Sequence, residues 1–260
     1  MRTVVSLLVI AAVVYLGLCA YMYAMQRAQI YFPVPETRHP DAQALWLESE
    51  GERIKVWVVA RPGARALLYF GGNAEDVAGN IAEFSAAFPD HSLYLVNYRG
   101  YGGSNGQSSE SAFFVDAIAV YDLVRTQHPD IAVMGRSLGS GVAVYVASER
   151  PVDRLVLVTA FDSLVNVARA HIRFLPVGLL MRDRYDSASR APAVKAAVLV
   201  VVAGDDEIIP RARSEALAKA FPVSQVRIEV VPGVGHNTLD LSPEYLRAVR
   251  EFLMESRGRI

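Results

Sequence analysis

The 260-residue chain contains a single cysteine, Cys19, which excludes an intrachain disulfide framework. It also has little net charge: 26 lysines and arginines stand against 27 aspartates and glutamates, a formal charge of -1, so no electrostatic field argues for a nucleic-acid partner. No internal repeat or low-complexity segment interrupts it, and 260 residues hold one large domain or at most two small ones. Charge is missing altogether from Thr3 to Met25.

That stretch, TVVSLLVIAAVVYLGLCAYMYAM, is 23 residues long. At about 1.5 Å per residue it can cross a hydrocarbon core of about 30 Å. A cleaved signal peptide needs a shorter apolar core and an Ala-x-Ala-like site, and no clean one precedes Gln26. A lipid-modified Cys19 would follow Leu18, which is bulkier than that chemistry expects. The expectation is therefore an uncleaved signal-anchor over residues 1–25, single-pass, with Tyr21, Tyr23 and Tyr31 as interfacial aromatics. Arg2 lies on one side and Arg27 and Arg38 on the other, so charge assigns no orientation. Residues 26–42, with three prolines, read as a linker, and residues 43–260 as the catalytic domain.

Within that domain Ala44–Glu48 and Arg53–Ala60 read as an antiparallel edge pair, the second alternating polar and apolar residues. Ala66–Phe70, Leu93–Asn97, Ile131–Met134, Leu155–Val158, Val198–Val202 and Val226–Val231 read as further strands, most of them apolar throughout and so covered on both faces. Helices are expected near 75–88, 111–127, 142–147, 213–221 and 242–255, the last opened by Ser242-Pro243-Glu244. The alternation predicts an α/β fold with a mainly parallel, eight-stranded sheet flanked by helices. Almost 40 residues between Thr159 and Ala197 break the rhythm and are read as a small helical cap over about 161–194. Its Phe174, Leu175, Leu179, Leu180 and Met181 are candidates for an acyl pocket.

Gly135-Arg136-Ser137-Leu138-Gly139 lies between a strand and a helix, as a nucleophile elbow requires. The turn is so tight that a Cβ at either glycine would collide with neighbouring chain, and the Leu138 amide falls at a helix N-terminus, where it can hold an oxyanion. A serine hydroxyl needs a base and a carboxylate to orient that base. Only His171 and His236 follow Ser137, and His236 comes directly after the last strand. Asp205, Asp206 and Glu207, after the strand before it, compete for the acid, with Asp162 as a fourth candidate. The glycine turn Phe70-Gly71-Gly72-Asn73-Ala74 is expected to bring the Asn73 amide in as second oxyanion donor.

Together with Asn97-Tyr98-Arg99-Gly100-Tyr101-Gly102-Gly103-Ser104, Asp206-Glu207-Ile208-Ile209-Pro210 and Gly235-His236, these segments resemble the α/β-hydrolase superfamily over residues 43–256. More narrowly they resemble membrane-anchored single-domain serine hydrolases, similar to depalmitoylating hydrolases and serine aminopeptidase-like proteins. The resemblance implies Asp206 as the acid, four residues before Pro210, and a supporting loop at 98–102. The chain departs from many esterases in carrying Gly71 where His is frequent. The expected activity is a serine hydrolase of ester or thioester bonds, with Ser137, His236 and Asp206 as a triad. It needs no metal or cofactor and takes a lipid-like or small-molecule acyl substrate. An aminopeptidase, with Asp162, Asp183 or Asp186 holding a substrate amine, and a non-catalytic scaffold are the alternatives.

Overall fold

The computed structural model describes residues 1–63 and 65–255; the expected domain's last residues, 256–260, lie outside the described residues. Helix α1 (Arg2–Ile30) precedes a sheet of β1 (Gln43–Ser49), β2 (Glu52–Val59), β3 (Arg65–Phe70), β4 (His91–Val96), β5 (Ile131–Arg136), β6 (Arg154–Val158), β7 (Ala197–Ala203) and β8 (Val226–Val231). The order across the sheet is β1-β2-β4-β3-β5-β6-β7-β8. β1–β2 and β2–β4 pair antiparallel, and every later pair is parallel. Helices α2 (Ile81–Ala87), α3 (Glu110–Arg125), α4 (Leu138–Glu149), α5 (Leu164–His171), α6 (Val177–Leu180), α7 (Ser187–Arg190), α8 (Arg211–Ala220) and α9 (Pro243–Met254) complete the described fold.

The apolar strands are apolar throughout because the sheet is covered twice. In β3, Ala66, Leu68 and Phe70 pack with residues of α3, α4 and α8, while Leu67 and Tyr69 point the other way, toward Phe84, Phe88 and Phe252. Period-2 alternation of side chains thus feeds both layers from one strand.

Three local expectations shift. The helix expected from Glu75 begins as a 3-10 turn, Val77–Asn80, because the Asp76 side chain accepts the Ala78 amide and sets the start two residues on. Ser242 does not cap α9 by bonding an amide; its hydroxyl donates to the Glu244 carboxylate. Residues 26–30, expected as linker, continue α1, since the first proline after it is Pro33 and Gln26 and Arg27 are held by the cap.

The cap over 161–194 contains α5, α6, α7 and a 3-10 turn, Ala191–Ala193. It grips the end of α1. Gln26 Nε2 donates to the Leu180 carbonyl and its Oε1 accepts the Arg182 amide, at 3.0 and 2.7 Å. Arg27 makes two hydrogen bonds to buried Asp183, which also accepts the Tyr31 hydroxyl. Burial holds the Tyr31 phenol well above its ordinary range, so it remains a donor.

His91, at the start of β4, is buried, and desolvation followed by the nearby Arg65 lowers its pKa from 6.5 to about 4, with Arg61 acting the same way against Asp90 and Asp153. Between those values the unfolded chain binds a proton that the folded chain refuses. Stability is therefore intact above pH 6.5 and declines as pH falls toward about 4. Thermal melts across that window should show the loss, and His91→Gln should flatten the slope.

Candidate active site

The site forms where β5, β7 and β8 end. β5 turns into α4 through Ser137, whose φ of 50° and ψ of −117° are forbidden to most non-glycine residues. Such strain costs on the order of 1–3 kcal/mol and persists only when neighbours over-determine it. Here the Ser137 amide donates to the Val158 carbonyl at 2.8 Å, and its own carbonyl accepts both the amide and the hydroxyl of Ser140. The flanking glycines answer to space. A Cβ on Gly135 would lie 2.3 Å from the Gly139 carbonyl oxygen, and one on Gly139 would lie 2.1 Å from that of Phe70. Leu138 opens α4, so its amide has no intrahelical acceptor and sits at the positive end of the helix.

His236 follows the turn after β8 and is 5% exposed. Its Nε2 lies 3.0 Å from Ser137 Oγ, and its Nδ1 lies 2.9 and 3.1 Å from the two Asp206 oxygens. The loop is locked at its backbone. The His236 amide donates to Glu207 Oε2, and its carbonyl accepts Arg136. Of the three adjacent acids, Asp205 and Glu207 are exposed, while the Asp206 carboxylate points inward. Asp206 Oδ1 accepts the amides of Ile208 and Ile209 at 2.9 and 2.7 Å, which fixes the carboxylate in one rotamer. Asp162 lies elsewhere, bonded to Asn166 and Arg213. His171 is exposed on the cap, with its Nε2 2.9 Å from the Ile208 carbonyl oxygen.

The glycine turn after β3 runs against Ser137; a Cβ on Gly72 would stand 3.6 Å from that of Ser137. The Asn73 amide donates to no protein acceptor among the described residues. Its side chain is a fastener: Nδ2 donates to the Ile30 carbonyl, and Oδ1 accepts the Phe32 amide and the Tyr101 hydroxyl. Tyr98 donates to the Gly71 carbonyl at 2.7 Å, so the loop at 98–102 supports the turn through two tyrosines.

Sequence reading missed Glu75. Its Oε2 accepts the Gly72 amide at 2.6 Å, and its Oε1 accepts Tyr69 and Asn80 at 2.6 and 2.7 Å. Arg136 lies 3.5 Å away. Burial, and then the Glu75 charge, hold the Tyr69 phenol far above its ordinary pKa, so it stays a donor. In sequence Glu75 looks like a first-turn helix acid, and nothing local marks it as a hub. Glu75→Gln leaves one oxygen for three donors and sets an amide group against at least one of them. A turn displaced by a fraction of an ångström should lower kcat by up to about 10²-fold with KM little changed. A proportional rise in KM, with kcat intact, would assign Glu75 to substrate binding instead.

Ser137, His236, Gly72, Asn73, Glu75 and Arg136 line a groove of about 250 Å³. A larger hollow of about 720 Å³ lies at the opposite strand ends, near Asp130, Asp153 and Lys195, remote from Ser137. The expected acyl pocket is corrected in part. Leu175, Leu180 and Met181 line a separate apolar groove of about 200 Å³ between α1 and the cap. Phe174, in the segment between α5 and α6, and Leu179 face outward, 68% and 86% exposed; α6 is a single turn that buries Val177 and so turns Leu179 away.

No protein-family model matches the chain. An uncharacterized protein of Mycobacterium tuberculosis is 37% identical over 265 residues, covering 95% of this chain and 94% of that one. The alpha/beta hydrolase domain-containing protein aho-3 of Caenorhabditis elegans is 30% identical over 72% of this chain, and the match spans 57% of its own length. Alpha/beta hydrolase domain-containing protein 17C of Xenopus laevis is 27% identical over 76% of this chain and 64% of its own. Among solved structures, an esterase of Pyrococcus furiosus superposes with a TM-score of 0.69 at 18% identity, covering 86% of this chain and 97% of that one. An enol-lactonase of Burkholderia xenovorans gives 0.65 at 14%, covering 81% and 100%. At such identities the structural likeness speaks to fold alone. The eight-stranded sheet and these relatives agree: the chain belongs to the α/β-hydrolase superfamily and is a hydrolase of that type.

Proposed function

We propose that the protein is a membrane-anchored serine hydrolase that cleaves carboxylic ester or thioester bonds through a Ser137–His236–Asp206 triad. The observation that carries this reading is the continuous hydrogen-bond chain from Ser137 Oγ through both ring nitrogens of His236 to a buried carboxylate. Ser137 Oγ attacks the acyl carbon as His236 Nε2 takes its proton. The amides of Leu138 and Asn73 hold the oxyanion. Collapse expels an alkoxide or thiolate, which recovers that proton from His236. Water then attacks the acyl-enzyme, again giving a proton to His236, and the acid product and free Ser137 result.

The catalytic domain runs from residue 43, behind an anchor over residues 1–25. α1 is long and apolar enough to cross a bilayer, and its apolar side chains are exposed along nearly the whole helix. Anchoring accounts for that surface, which would otherwise stand in water. The aminopeptidase alternative wants a spare carboxylate for a substrate amine. Asp183 is held by Arg27, and Asp186 caps α7; Asp162 binds Arg213 through Oδ2, while its Oδ1 is buried without a partner among the described residues.

Detergent-solubilised protein should react with a fluorophosphonate and turn over short acyl esters and thioesters in preference to amino-acyl amides. A preference for the amide would sink the esterase reading, and a folded protein inert to both would favour a scaffold.

A further inference from the structure

The apolar groove between α1 and the cap has no part in the triad. Met22, Gln26, Gln29 and Ile30 form one wall, and Leu164, Val167, Ala168, Ile172 and the α6 region form the other. The residues α1 turns toward the cap, Tyr15, Cys19, Met22, Gln26 and Ile30, recur at steps of three and four, one face of a helix. The groove offers a ligand little to hydrogen-bond. Gln26 is already engaged with Tyr23, Leu180 and Arg182, and most of the remaining lining is hydrocarbon or thioether.

Two observations say what fills it. The first is depth. A hydrocarbon core of about 30 Å takes about 20 helical residues, which from Thr3 ends near Met22. Yet the Tyr15 hydroxyl bonds the Phe174 carbonyl, and Cys19 packs with Leu175 and Val177. If α1 spans a bilayer, the cap rim beside residues 15–22 lies about 10 Å inside the leaflet, the depth typical of an interfacial element. Outward-facing Phe174 and Leu179, with exposed Arg173 and Arg182 alongside, are the chemistry such a rim needs. The second is proximity to the triad. Ile30 lines the groove and its carbonyl accepts Asn73 Nδ2 at 2.6 Å, so the two grooves stand apart by that one contact, Asn73 itself lining the Ser137 groove.

We propose that this groove holds an acyl chain of a bilayer lipid, entering sideways from the leaflet beside α1 with its ester carbonyl carried toward Ser137. The inference rests on the membrane-anchored acyl-hydrolase reading above and names the substrate class of that site. The chain leaves hydrocarbon for hydrocarbon, so entry costs little desolvation, and the reacting carbonyl alone meets polar groups.

The test uses full-length Ser137→Ala, which cannot consume the probe, in phosphatidylcholine vesicles doped with a phosphatidylcholine carrying a diazirine at the end of one acyl chain. After illumination, adducts are expected at Leu164, Val167 or Ala168, which face the groove, besides those on the outer faces of α1. Ala168→Trp and, from the opposite wall, Met22→Trp should each reduce the groove adducts at least fivefold. Adducts on the outer faces of α1 should persist and report normal insertion. Adducts confined to α1 and to Phe174 and Leu179, or groove adducts indifferent to both tryptophans, would overturn the proposal. Fluorophosphonate labelling of the wild type in the same vesicles is read separately. Its absence would remove the hydrolase reading, while the adducts would still decide whether the groove takes lipid.

Discussion

Ser137→Ala should abolish ester turnover, lowering kcat on the order of 10⁶-fold, while leaving the melting temperature close to that of the wild type. The two parts of that expectation have separate causes. The hydroxyl is the only atom removed, and under the proposed mechanism it is the atom that bonds the acyl carbon. The backbone of the elbow is held by main-chain contacts that alanine keeps, namely the amide to Val158 and the carbonyl that accepts the Ser140 amide and hydroxyl. Alanine meets the same strain at φ 50° as serine. Turnover and fluorophosphonate labelling of the purified variant check the first part, and a thermal melt checks the second. Wild-type turnover in the variant would sink the nucleophile assignment.

Asp206→Asn should lower kcat by about 10⁴-fold, and the reason lies in the donors around the carboxylate. Oδ1 accepts two amides, from Ile208 and Ile209, so the single oxygen of an asparagine is drawn there. Its NH₂ group then occupies the Oδ2 position, 2.9 Å from His236 Nδ1. A donor facing Nδ1 favours the tautomer whose proton sits on Nε2, and that nitrogen then cannot take the proton from Ser137. The loss should fall on kcat for ester and thioester alike, with KM and the melting temperature little changed. A variant that fails mainly by unfolding would make Asp206 a structural tie for the 206–209 turn. Near-normal kcat in a folded variant would move the acid to another residue.

Glu75 belongs to the same functional unit without touching the proposed reaction. It holds Gly72, and through it the turn bearing the Asn73 amide, while Arg136 links Glu75 to the His236 carbonyl. Effects of Glu75→Gln and Asp206→Asn should therefore combine less than additively, as expected of residues within one network.

Local sequence alone determined the elbow, the strand-by-strand α/β rhythm and that one of three adjacent acids turns inward, though not which one. Each is set by covalent neighbours: a tight strand–helix turn excludes Cβ atoms at fixed offsets, strands covered on both faces are apolar throughout, and adjacent carboxylates repel when buried together. Only the tertiary structure decided that β3 lies between β4 and β5, that Glu75 anchors the glycine turn, and that Asn73 ties this turn to Ile30 and Phe32. It also decided that Phe174 and Leu179 face out while Leu175, Leu180 and Met181 meet Met22 across a groove. Glu75 accepts hydrogen bonds from residues within six positions of itself, but the other contacts join segments far apart in the chain, up to about 160 residues for Tyr15 and Phe174. No periodicity or local spacing encodes such a pairing, because it exists only once the sheet and cap have brought the two segments together.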